Sequence, residues 1–166
     1  MTQSIVTEEQ NRLMTAVLTD LAAQAEAEAV FLGDAGGNII ACISTPGDES
    51  VQTIAALAAG SFSATRELAK LIGETSFSSI YHKGDHSSIY IQTIGGNYLL
   101  LIVFGKGTAV GLVKLYVDKA CHELGPFLSE ISGQKGSAAR GKSSFEMADT
   151  DQVFKAPAPT GEQPKK

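Results

Sequence analysis

No tryptophan occurs among the 166 residues of this chain, cysteine occurs only twice and proline only five times. Two cysteines, Cys42 and Cys121, cannot make a disulfide framework, and they read as the reduced thiols of a cytosolic protein. Basic charge is also scarce. Thirteen Lys and Arg stand against 18 Asp and Glu, for a formal charge of −5. That balance argues against nucleic-acid binding, which needs a basic surface to neutralise phosphates. The longest apolar run, Tyr98–Phe104, is too short to span a bilayer. Thr2–Thr7 is short and uncharged and leads straight into a helix, so no signal peptide is expected. These shortages together predict a soluble, cytoplasmic protein without nucleic-acid partners or membrane insertion.

What is abundant is apolar side chain, at 43% of the chain. It recurs periodically as far as Ile131. From Gly133 onward Gly, Ser, Lys, Ala and Pro dominate. The expected division is a folded domain over 5–132 and a flexible, disordered tail over 133–166. Within the tail, residues 145–155 (FEMADTDQVFK) form a small acidic island with a phenylalanine near each end.

Thr7, Glu8, Glu9 and Gln10 have the form of a capping box opening a helix. Leu13, Met14, Val17, Leu18 and Leu21 then follow at helical spacing. Ala29–Leu32 and Ile39–Ser44 are strand-like runs around Asp34-Ala35-Gly36-Gly37-Asn38, a strong hairpin turn. A second helix is expected from about Glu49 to Gly73. Ile80–Lys83, Ser88–Ile94 and Tyr98–Phe104 read as three more strands. The stretch from Val110 to Ile131 fits a helix from Thr108, although Val113, Leu115 and Val117 also fit a strand. Pro126 should kink or divide that helix. The order α-β-β-α-β-β-β-α, with hairpin connections, predicts an α/β fold: a five-stranded antiparallel sheet with helices on its faces.

The second helix is apolar on two sides. Leu57, Ser61, Ala64, Leu68 and Leu71 form one stripe, with Ile54 and Ile72 at its margin, and this is the expected core face. The other side carries Ala55, Ala59, Phe62, Ala69 and Arg66, flanked by Ala56, Gly60 and Ser63. Small residues around one aromatic suit close approach by a second helix or a partner surface. A plain alanine-rich helix back would give the same pattern.

No active site assembles. Gly105-Lys106-Gly107-Thr108 lacks the glycine that a phosphate loop requires at position 100, which is Leu, and Gly107 separates Lys106 from Thr108. His82, Asp85 and His86 belong to a strand end and its turn, with only the distant His122 as a further ligand, so they read as surface polar residues. There is no G-x-S-x-G elbow. No metal, cofactor or catalytic residue is expected. An interaction protein is the reading that remains.

The arrangement resembles the roadblock/dynein light chain superfamily, and in particular the bacterial MglB-type regulators of a Ras-like GTPase. The likeness covers about Val30–Ile131. Leu57-Ala58-Ala59-Gly60-Ser61 and Leu68-Ala69-Lys70-Leu71-Ile72-Gly73-Glu74 carry it first. Phe77, His82-Lys83-Gly84, Ser88-Ile89-Tyr90 and Leu101-Ile102-Val103-Phe104 extend it. Thr108-Ala109-Val110-Gly111-Leu112-Val113-Lys114-Leu115 and Lys119-Ala120 with Glu123-Leu124 complete it.

The resemblance implies a homodimer joined through its second helices and neighbouring strands, with Ala55, Ala56, Gly60, Ile89 and Ile91 at the interface. It also implies binding of the GTP form of an MglA-type small GTPase through Ala59, Phe62, Ser63, Arg66, Glu67 and Lys70. Ser63 and Glu67 are the positions that the family's contacts map to, and Glu67 is charged where close relatives have small residues. Family members of this type stimulate hydrolysis by reshaping the GTPase's switch regions, without an arginine finger. Phe145, Met147, Asp149, Asp151 and Phe154 of the tail are expected to form a second docking element. A scaffold that binds without stimulating hydrolysis is the alternative function. Recruitment to a cell pole would follow from the family's role in polarity and gliding motility.

Overall fold

Helix α1 (Glu8–Gln24) begins with the reciprocal bonds that its sequence foretells. Thr7 Oγ1 accepts from the Gln10 amide at 3.2 Å, and Gln10 Oε1 accepts from the Thr7 amide at 3.0 Å. The computed structural model describes residues 6–44 and 50–140, with side chains as far as 133. After α1 come β1 (Ala27–Asp34), β2 (Ile39–Ile43), α2 (Val51–Leu71), β3 (Ser79–His82), β4 (Ser87–Ile94), β5 (Tyr98–Gly105) and α3 (Val110–Arg140). This is the expected order, and the strands form one sheet, β2-β1-β5-β4-β3, antiparallel throughout.

β5, buried along most of its length, lies at the centre of the sheet with β1 beside it, and both of their faces are covered. The β1–β2 turn is tied by Asp34 Oδ1, which accepts from the Gly36 and Asn38 amides at 3.0 Å each. α1 and α3 pack side by side on one face of the sheet. Met14, Leu18 and Leu21 meet Val113, Val117, Ala120, Leu124, Leu128 and Ile131 over Val30, Leu32, Leu100, Ile102 and Phe104. α2 packs alone on the other face, over Phe31, Ile91, Leu99 and Leu101.

The ambiguous segment is one helix. Pro126 sits inside α3 without dividing it. The carbonyl that loses its amide partner belongs to His122, on the exposed side, where solvent can satisfy it. α3 also runs on to Arg140, nine residues beyond Ile131, where the apolar period ends.

Candidate interaction surface on the second helix

The faces of α2 are the reverse of those expected. Ala55, Ala59, Phe62 and Ala69 are buried against the sheet, with Phe62 only 3% exposed. Leu57, Leu68, Leu71 and Ile72 point outward and are 57–83% exposed. The physical reason is the surface beneath. Phe31, Ile91, Leu99 and Leu101 already fill the space above the central strands, so the helix can settle only with its small residues inward and one aromatic wedge between them. Periodicity reveals two apolar stripes, but it does not reveal which one the sheet has room for.

The β1–β2 turn fixes how α2 lies. Gly37 has φ +86°, and a Cβ there would stand 2.8 Å from the Ala56 Cα. Gln52 Nε2 donates to the Gly37 carbonyl at 2.9 Å. The Ala56 flank of α2 therefore faces the β1–β2 turn. By helical rotation the half-buried Ile54, Ser61 and Thr65 lie on the opposite flank, with Leu57 and Leu68 just outside them. Ile54, with Ile80 of β3 and Ile89 of β4, packs at the margin of the small core.

Several residues assigned to surfaces from the sequence cannot serve there. Ala55, Ala59, Phe62 and Ile91 are interior to the protomer, which corrects their assignment to an interface or a GTPase contact. Ala56 and Gly60 are exposed and Ile89 is half-buried. Ser63, Glu67 and Lys70 are exposed along one flank, where Lys70 Nζ and Glu67 Oε1 pair at 2.7 Å. Arg66 is half-buried and turns away from that flank, its Nη2 donating to the Gly96 carbonyl at 3.5 Å in the β4–β5 turn. Phe145, Met147, Asp149, Asp151 and Phe154 lie outside the described residues. Sequence reasoning missed Leu57, Leu68, Leu71 and Ile72 as surface residues because a leucine stripe is the ordinary mark of a core.

Elsewhere the surface offers little chemistry. His82, Asp85 and His86 are exposed in the β3–β4 region, and no group of three metal-capable side chains occurs among the described residues. Asp34, Ala35, Gly36, Asn97, Tyr98 and Ser132 line an open hollow of about 350 Å³. Tyr98 Oη and Ser132 Oγ hydrogen-bond across it at 2.9 Å. Burial, and after it the charge of Asp118, push the Cys121 thiol from 9.0 up to about 12, so it stays protonated at neutral pH. No helix among the described residues is long and apolar enough to cross a membrane.

An antiparallel five-stranded sheet between one helix and a helix pair, with an apolar helix face left open, is a roadblock-type domain. The chain belongs to the Roadblock/LC7 domain family, whose model matches residues 13–104. Within it the chain is similar to MglB of Myxococcus xanthus, at 33% identity and a TM-score of 0.71, over 76% of this chain and 96% of that one. It is similar also to the gliding protein MglB of Thermus thermophilus, at 29% identity and a TM-score of 0.71, over the same shares. A third solved structure, an MglB with a tetrameric arrangement, is 28% identical with a TM-score of 0.72, again over 76% and 96%. No curated protein matches the chain.

Proposed function

We propose that this chain is a homodimeric regulator of a bacterial MglA-type small Ras-like GTPase, and that it raises the GTPase's hydrolysis rate without a catalytic group of its own. The outward leucines of α2 carry this reading, supported by the likeness to MglB. Leu57 and Leu71 stand seven positions either side of Ala64. An antiparallel pair of α2 helices crossing at Ala64 sets each Leu57 opposite the partner's Leu71, with small residues at the crossing. Burying such side chains stabilises the pair by roughly 25 cal/mol per Å², before the costs of association. On this reading the edge strand β3 extends the contact.

The GTPase then meets the other flank of α2, where Ser63, Glu67 and Lys70 are exposed. The GTP form is favoured, because a regulator shifts switch conformations only by binding one of them better. On this reading Arg66 is not a finger, and its Nη2 reaches toward the Gly96 carbonyl of the β4–β5 turn at 3.5 Å. The tail from Phe145 to Phe154 supplies a second, tethered contact that slows dissociation. The protein works in the cytoplasm and travels with its GTPase to a cell pole.

The test is phosphate release by an MglA-type GTPase with and without this protein. Acceleration is expected, and Ser63→Arg combined with Glu67→Arg should abolish both binding and acceleration while the dimer persists. Arg66→Ala should lower the rate only modestly, and a loss of about three orders of magnitude with binding intact would make it a finger in trans. Binding without acceleration would leave a scaffold.

A further inference from the structure

Among the described residues the sheet has two unpaired edges, and they are not alike. β3 is four residues long, carries exposed Tyr81 and His82, and is followed by Lys83. β2, at the other edge, reads Ile39-Ile40-Ala41-Cys42-Ile43 and contains no charge, no proline and no glycine. Natural edge strands are usually guarded by a short length, a bulge, a lysine, a proline, an inward charge or a cover of helix or loop. Of these β2 has, among the described residues, only its five-residue length and a shift at Ile40. The one irregularity of β2, a register shift opposite Leu32 and Gly33, lies at its turn end and leaves Ala41–Ile43 in regular pairing.

β2 is also held ready. α1 covers one of its faces, and Ile40, Ala41 and Ile43 pack into the larger core, so the strand is fixed in extended form. Among the described residues its backbone pairs with β1 alone. We infer that the outer edge of β2 is a self-association site that pairs antiparallel with β2 of a second copy of this chain. A copy is the occupant that the residues favour. An uncharged strand does not repel its own image, and an antiparallel pair about Ala41 or Cys42 matches its length and its branched side chains. The inference is independent of the α2 dimer. With both contacts in place, one sheet carries a two-fold interface at each edge, and dimers join into open rows. So short a strand makes the second contact the weaker one.

Cys42 is exposed on β2 and reports on the pairing directly. Antiparallel strands centred at Ala41 or Cys42 bring the two Cys42 side chains within about 5–8 Å, as opposed or diagonal neighbours. A bismaleimide with a spacer of about 8 Å should therefore join full-length chains through Cys42. The half-buried Cys121 thiol, whose proton is held to about pH 12, should react far more slowly, and Cys121→Ser should leave the adduct unchanged. The adduct should vanish in Cys42→Ser and persist in Leu68→Glu, whose α2 face can no longer pair. Amide exchange over residues 39–43 should slow about tenfold between micromolar and millimolar protein, and this slowing should be lost in Cys42→Lys. Absence of the adduct, or its loss in Leu68→Glu, overturns the inference. So does exchange at β2 that does not change with concentration.

Discussion

The two faces of the sheet are finished to different degrees. On one, α1 and α3 bring leucine, methionine and valine inward and close a continuous core around Phe104, Leu100 and Leu124, all at most 1% exposed. On the other, α2 turns alanines and one phenylalanine inward and leaves four large apolar side chains in water. A helix that spends its small residues on its own sheet has its large ones available for something else. The first face accounts for the stability of the protomer, and the second is the one we propose for its association.

The contrast is broken most severely by substitution in the larger core. Leu124→Ala should cost about 2–5 kcal/mol in denaturant unfolding, because it leaves a cavity between α3 and the sheet. Leu68→Ala, measured at a concentration where the chain is monomeric, should cost no more than about 0.5 kcal/mol. Equal losses would mean that the two faces are not distinct.

Phe62→Ala decides the orientation of α2 itself. Removal of this wedge should destabilise the monomer by about 3 kcal/mol. A change typical of a surface residue would put Phe62 back on the outside.

Leu68→Glu sharpens the difference in the opposite sense. The fold should melt as before, while sedimentation shows self-association weakened by about tenfold or more, a change of at least about 1.4 kcal/mol. An unaltered dimer would separate the leucine face from association.

The smallest effect belongs to Cys121, at the rim of the larger core. Its thiol keeps its proton in the folded protein up to about pH 12, whereas the unfolded chain loses it near 9.0. The unfolded state therefore binds fewer protons in that window, and stability, whole below it, falls as pH rises through it. Cys121→Ala should flatten this part of the alkaline decline in Tm, and an unchanged slope would show that the thiol takes no part.

Much of this molecule was legible in its residues. The capping box at Thr7, the Asp34–Asn38 turn, the strand order along the chain and the helix through Leu124 all follow from contacts between near neighbours in sequence. Such contacts obey fixed spacings of backbone and side chain. The absence of a nucleophile or ligand set from the motifs likewise made an interaction protein the expected class. Which face of α2 turns inward was not legible. Both stripes have helical period, and only the bulk of Phe31, Ile91, Leu99 and Leu101, brought beneath the helix from three separate strands, selects the alanine side. The open edge of β2 is likewise a property of strand order, since the same five residues at the centre of the sheet would be an ordinary buried strand. Spacing along the chain determined which elements form. The packing of distant elements determined which surfaces they leave open, because steric fit between them exists only after the chain has folded.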